Sequence, residues 1–217
     1  MKLFLIYSCI AIPVWVAQFA LYFFLGSAGR MKESLAAKCA GSFLAVGSAA
    51  LGMAFSHEGP STPWVFWFFV LCTIADALLE ISFVPGMLVF GAGHVCLILW
   101  LWGLATPSWW SLALWVAVYV LTAILFRKEL PTLGKLTVPF CLYPALLGGS
   151  LAVAVPLPFL LGAKWAPVAV GTVLFYVSDM LVAKNQLSHW DKKWQKPIMA
   201  LYWGALYLIS VGLWLPA

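Results

Sequence analysis

Long apolar stretches broken by short polar clusters run along the whole chain. A helix needs about 20 apolar residues to cross a bilayer core roughly 30 Å thick. Eight segments approach that length: 3–25, 36–55, 64–81, 84–105, 109–126, 136–157, 163–183 and 197–215. The breaks between them are rich in turn formers, as in GSAGRMKE, SHEGPSTP, FVPG, ATPS, RKELPTLGK, LGAKWAP and SHWDKKWQKP. The sixth segment is the least regular, because Pro139, Pro144, Pro156 and Pro158 predict a kinked helix or a displaced end. The first apolar run, about 23 residues, exceeds the roughly 7–15 of a signal-peptide core, so it reads as a first span. The pattern therefore predicts an all-α, polytopic membrane protein: eight transmembrane helices in one bundle, with residues 1–217 as a single integral membrane domain.

An even number of spans puts both termini on one side. Lys2 and Lys164 then share that side, while Arg30, Lys32, Lys38, Arg127, Lys128, Lys135, Lys184, Lys192, Lys193 and Lys196 share the other. Cytoplasmic loops carry the excess of Lys and Arg, so both termini are expected on the non-cytoplasmic side. A short internal match, TIADALL (73–79) against YVSDMLV (176–182), falls on spans three and seven. Spans four apart share an orientation, so the match predicts a parallel 4+4 repeat.

Composition sharpens this picture. The chain is 65% hydrophobic and 9% charged, against about 25% charged for soluble domains, which excludes an aqueous fold. The net charge of +5 resides in short loops with no basic tract longer than two residues, which argues for topology and against nucleic-acid binding. The five cysteines are scattered singly through apolar segments, as small buried side chains rather than a disulfide framework. Short loops and the lack of a targeting extension point to a bacterial inner membrane.

Against this background, two aspartates stand out. Asp76 lies about twelve residues into span three and Asp179 about fifteen into span seven. At 1.5 Å per residue both fall in the half of the bilayer nearer the cation-rich side. Lys38 and Lys135 open spans two and six on that side, Tyr202 lies six residues past Lys196, and His94 sits near mid-depth of span four. Ionisable side chains facing lipid are costly, so the aspartates are expected to line an interior cavity. Two carboxyls sharing a pocket divide into an acid and a base, which makes Asp76 and Asp179 the candidate catalytic pair. Lys38, His94, Lys135, Tyr143, Ser178 and Tyr202 are the candidate substrate-contacting residues. Each also has a structural reading: an ion pair for either aspartate, a packing hydrogen bond for His94 or Ser178, core packing for the tyrosines. Glu80, one turn past Asp76, reads as a solvated interfacial residue. His57 and His189 fall in loops and carry no chemistry. With one histidine inside a span, a zinc site is not expected. There is no G-x-S-x-G nucleophile motif either.

These residues also resemble a known family. ADALLEISFVPGMLVFGAGHVCLILWL (75–101), GTVLFYVSDMLVAKNQ (171–186) and KPIMALYWGALYLI (196–209) are similar, in order and spacing, to stretches of the YhhN-like lysoplasmalogenases. The resemblance covers nearly the whole chain. It implies hydrolysis of the vinyl-ether bond of a lysoplasmalogen, giving a fatty aldehyde and glycerophospho-ethanolamine or -choline. The implied partners are a lysophospholipid and the surrounding membrane lipids, with no cofactor. A proton-coupled carrier of lipids or small molecules is the alternative reading, since intramembrane carboxylates and repeats suit alternating access. An inactive lipid-binding protein is the third.

Overall fold

The computed structural model describes residues 2–55, 62–188 and 194–215. His57, His189, Lys192 and Lys193 lie outside the described residues. The helices are α1 (Lys2–Ser27), α2 (Met31–Phe55), α3 (Thr62–Ile81), α4 (Phe83–Leu104), α5 (Trp109–Leu125), α6 (Thr137–Ala154), the short α7 (Leu157–Leu161), α8 (Ala166–Ser188) and α9 (Gln195–Val211). Among the described residues the fold is all helical. Seven stretches are long and apolar enough to cross a membrane. The eighth expected span, α5, is apolar but has 17 residues, about 26 Å at 1.5 Å per residue.

The sixth crossing is broken, as its prolines predict. α6 accommodates Pro144 internally and stops at Ala154; the chain turns through Val155 and Pro156 before α7 continues to Leu161. Proline has no N–H to continue the helical ladder, so a break collects where prolines cluster.

Helix pairing follows one order in both halves. α1 packs on α2, α2 on α3 and α3 on α4; likewise α5 packs on α6, α6 on α8 and α8 on α9. The halves join through α2 against α9 and α4 against α6. This is the pairing that a parallel 4+4 repeat requires. The correspondence is incomplete at the edges: α1 also packs on α9, whereas α5 leans mainly on α6.

Lipid offers little hydrophobic drive between helices, so close packing relies on small residues. A Cβ at Gly171 of α8 would lie 3.0 Å from the Ala205 carbonyl oxygen and 3.0 Å from the Ile209 amide nitrogen of α9. A Cβ at Gly86 of α4 would lie 2.7 Å from the Leu79 nitrogen of α3. These two contacts bring together the helix pairs that carry Asp76, Asp179 and Tyr202. Between them, Phe68, Phe69, Leu97, Trp100, Phe175 and Leu206 are fully buried. α1 instead shows Leu5, Ile6, Ile10, Val16 and Phe24 outward, the all-round apolar surface suited to lipid contact. Its polar groups satisfy the bundle: Trp15 Nε1 donates to the Gly41 carbonyl at 2.8 Å and Gln18 Nε2 to the Ala37 carbonyl at 2.6 Å.

Candidate active site

The ends of α2, α3, α4, α5, α6, α8 and α9 that lie on the side of Arg30, Lys38, Arg127 and Lys196, together with the loop 126–133, surround one cavity. The empty space in and over it, open solvent included, amounts to about 1050 Å³. Its walls are mostly apolar, including Leu79, Met87, Phe90, Phe140, Pro144 and Met199. The polar groups in the lining are Lys38, Asp76, Tyr119, Thr122, Glu129, Tyr143, Ser178, Asp179 and Tyr202. Thus Asp76 and Asp179, 103 residues apart and on different helices, face the same chamber.

The two carboxyls have different surroundings. Asp76 is buried. One oxygen, Oδ2, accepts the Tyr202 hydroxyl at 2.8 Å and the Ser42 hydroxyl. The other, Oδ1, lies 3.6 Å from Lys38 Nζ. Ser42 is in turn approached by Trp203 Nε1 at 3.4 Å. Lys38 is buried too and reaches Glu80 Oε1 at 3.3 Å. Asp179 is half-buried and accepts a hydrogen bond from the Tyr143 hydroxyl. Among the described residues no cation lies within ion-pairing distance of it. One carboxylate is therefore balanced by an ammonium, while the other has only a neutral phenol.

Six of the eight residues expected from the sequence meet here: Asp76, Asp179, Lys38, Tyr143, Ser178 and Tyr202 all line the cavity. Ser178 does so while its hydroxyl donates to the Ile198 carbonyl at 3.1 Å, tying α8 to α9. Glu80 is exposed near the end of α3 and adds a link to Lys38.

His94 and Lys135 are not among the residues that line the cavity. His94 is fully buried behind the cavity wall, its ring 4.8 Å from Phe175 and 5.9 Å from Tyr143. Ser150 gives its one hydroxyl proton to the Leu147 carbonyl at 2.8 Å. His94 Nδ1 lies 3.0 Å from that hydroxyl, and its Nε2 is buried with no partner among the described residues. Depth along a helix placed His94 at the right level, but the face it occupies points into the core. Lys135 is exposed, because Gly134–Leu136 forms a 3₁₀ turn outside the bundle and Leu133 takes the lining position.

Four polar residues in or beside the cavity were not anticipated: Ser42, Tyr119, Thr122 and Glu129, of which Tyr119 donates to the Cys141 carbonyl at 3.4 Å. Ser42 follows Lys38 by one helical turn, so the i, i+4 spacing could have revealed it. Thr122 donates to the Val118 carbonyl at 2.8 Å and accepts the Tyr176 hydroxyl at 2.6 Å, joining α5 to α8. Glu129 pairs through Oε1 with Lys184 Nζ at 2.6 Å. That hydrogen bond holds the Glu129 carboxyl below the usual carboxylate range. Lys184 also donates to the Leu125 carbonyl at 2.8 Å and lies 4.6 Å from the Phe126 ring centre.

A search of curated proteins found no match to the chain, and a search of solved structures found none either. Comparison with protein families does give one: residues 33–213, covering α2 to the end of α9 and every lining residue, match the YhhN family, and the chain belongs to that family.

Proposed function

We propose that the protein is a membrane lipid hydrolase of the lysoplasmalogenase type, cleaving the vinyl-ether bond of a lysoplasmalogen. The observation that carries this reading is the unequal pair of carboxyls in one mostly apolar cavity. The Lys38 ammonium lies against Asp76, so Asp76 is assigned the part of the base. Asp179, without a cation, is the carboxyl that carries the proton.

The reaction runs without a cofactor. Asp179 gives its proton to the alkenyl carbon remote from the ether oxygen, and the positive charge spreads over the adjacent carbon and oxygen as an oxocarbenium ion. The Asp76 carboxylate stabilises that cation and takes a proton from the water that adds to its carbon, giving a hemiacetal. As the hemiacetal collapses, its hydroxyl proton returns to Asp179 and the Asp76 proton passes to the glycerol oxygen. The net change is one water consumed, with one aldehyde and one glycerophospholipid head released. The Tyr143, Tyr202 and Ser42 hydroxyls hold each carboxyl in orientation through the cycle. Because the cavity opens on the cation-rich side, the substrate is drawn from the leaflet on that side, which the charge asymmetry assigns to the cytoplasm.

The test is release of free aldehyde from lysoplasmenyl-ethanolamine by the purified protein, with Asp76→Asn and Asp179→Asn as controls. Removing an acid or base of this kind is expected to lower the rate about 10²–10⁴-fold. Full aldehyde release by both variants would refute the assignment. Absence of release by the unaltered protein, with lipid movement across vesicles instead, would favour a carrier.

A further inference from the structure

The carboxyls lie at the closed end of the cavity. Asp76, Phe90, Pro144, Ser178 and Tyr202 are the lining residues nearest mid-membrane on their helices. Behind them aromatic rings fill the bundle: the Phe175 ring centre lies 5.4 Å from that of Tyr202, 6.0 Å from that of Phe90 and 4.8 Å from that of His94. A hydrocarbon chain whose first carbons react at Asp179 therefore has no room to continue deeper between the helices.

Sideways, the wall is thinner. α5 leans mainly on α6 and is tied to α8 by side chains of α8: the Tyr176 hydroxyl meets Thr122 at 2.6 Å, and Lys184 Nζ meets the Leu125 carbonyl at 2.8 Å. These two contacts set the helices level with one another. On α5, Ala123 falls between Thr122 and Leu125; on α8, Asp179 falls between Tyr176 and Lys184. Ala123 and Asp179 thus lie at similar depth. Among the residues that line the cavity, Ala123 is the one that is exposed rather than buried or half-buried. Toward mid-membrane, one and two turns along α5, Val120 and Val116 are half-exposed.

We propose that the hydrocarbon chain of the bound lipid leaves the cavity sideways past Ala123 and lies along Val120 and Val116 in the bilayer, while its reacting carbons and head group stay inside. The inference rests on the lipid-cleaving reading of the same cavity and adds where the chain goes. Lipid tails are as apolar as the cavity wall, so a chain gains little from full enclosure. The residue at position 123 then limits which chains pass, and the length of chain beyond it does not.

The experiment uses the full chain in lipid nanodiscs with ester-linked lysophosphatidylethanolamines. A palmitoyl lysolipid carrying a diazirine at the far end of its chain is photolysed and its adducts are mapped by mass spectrometry. Val116 and Val120 should be labelled above Ile10 and Val16 of α1, which are exposed to lipid at large, and excess unlabelled lysolipid should remove the difference. Equal labelling of α1 and α5 would overturn the proposal, as would adducts concentrated on Leu130, Leu133 or Leu187, which line the cavity nearer its cation-rich end. Ala123→Trp, at an exposed position, should weaken binding of the palmitoyl lysolipid about ten- to a hundredfold, the range that overpacking a fitted passage costs. A hexanoyl lysolipid, whose chain hardly passes Ala123, should change less than about twofold. Leu121→Trp, about 200° around the same helix, should alter neither; a loss there in place of Ala123→Trp, or equal weakening of both chain lengths by Ala123→Trp, would refute this exit. These lipids contain no vinyl ether. The expected labelling without aldehyde release from a lysoplasmalogen would sink the cleavage reading alone, and aldehyde release with adducts at the loop would sink the lateral exit alone.

Discussion

Replacing Lys38 with methionine removes a charge and keeps most of the side-chain volume. The consequence depends on which carboxylate relied on the ammonium. Glu80 has 46% of its side chain exposed, and Asp76 has 2%. Exposed pairs contribute at most about 1 kcal/mol, so losing Glu80's partner costs little. The Asp76 contact is different. At 3.6 Å and an effective dielectric of about 20, the attraction is about 4.6 kcal/mol, offset by desolvation of both groups. Breaking one side of such a buried pair costs about 3–5 kcal/mol, because the remaining charge is left uncompensated. Lys38→Met should therefore destabilise the protein by that amount. Asp76→Asn in the same background should recover at least about 2 kcal/mol of it. The assay is reversible unfolding in detergent for the two single variants and the double variant. Neither Lys38→Met nor the double variant should release aldehyde at more than about a hundredth of the normal rate, since the first removes the ammonium paired with Asp76 and the second the carboxyl as well. Strictly additive destabilisation would refute the pairing, and normal aldehyde release by the double variant would refute the role of Asp76.

Further outcomes are expected elsewhere in the molecule. Tyr143→Phe should lower the rate of aldehyde release at saturating substrate while leaving lysolipid affinity within about twofold, since its hydroxyl serves Asp179 through one hydrogen bond; a change in affinity alone would contradict this. Gly171→Val should destabilise the bundle by about 1–3 kcal/mol or prevent its assembly, because the added carbons meet α9 backbone as well as the Ile209 side chain; an unchanged unfolding midpoint would refute the close approach. The Glu129–Lys184 contact stabilises the fold above the ordinary carboxylate pKa, and its contribution is lost as pH falls through the depressed folded value. Lys184→Met should then be less stable than the unaltered protein at neutral pH, with the gap closing on acidification. A gap independent of pH would show that Lys184 acts through packing alone. Lys135→Ala, at an exposed position off the cavity, should release aldehyde at the normal rate, and a loss of more than about fivefold would place Lys135 in the path of the substrate.

The succession of apolar segments and turn clusters was enough to determine the spans. Seven crossings and the shorter α5 fall close to where hydropathy puts them, because the bilayer imposes a length on every crossing regardless of its neighbours. Depth was equally legible: counting residues from the ends of spans put Asp76, Asp179, Lys38 and Tyr202 at one level, and they share one chamber. What depth cannot supply is azimuth. His94 and Lys135 have suitable chemistry, but the direction each side chain takes is decided by which helices pack against its own. Those contacts turn His94 toward Ser150 and Phe175 and leave Lys135 on an outer turn. The difference between the two aspartates was likewise invisible in a motif that repeats small–Asp–x–Leu in both halves. It arises because α2 brings Lys38 and Ser42 to Asp76, whereas α6 brings only Tyr143 to Asp179. Glu129 and Lys184 are 55 residues apart, and no local pattern links them. Local sequence sets each helix and its depth through the one-dimensional constraint of the membrane; the partners across the bundle, and with them the charge balance of the cavity, exist once the helices are side by side.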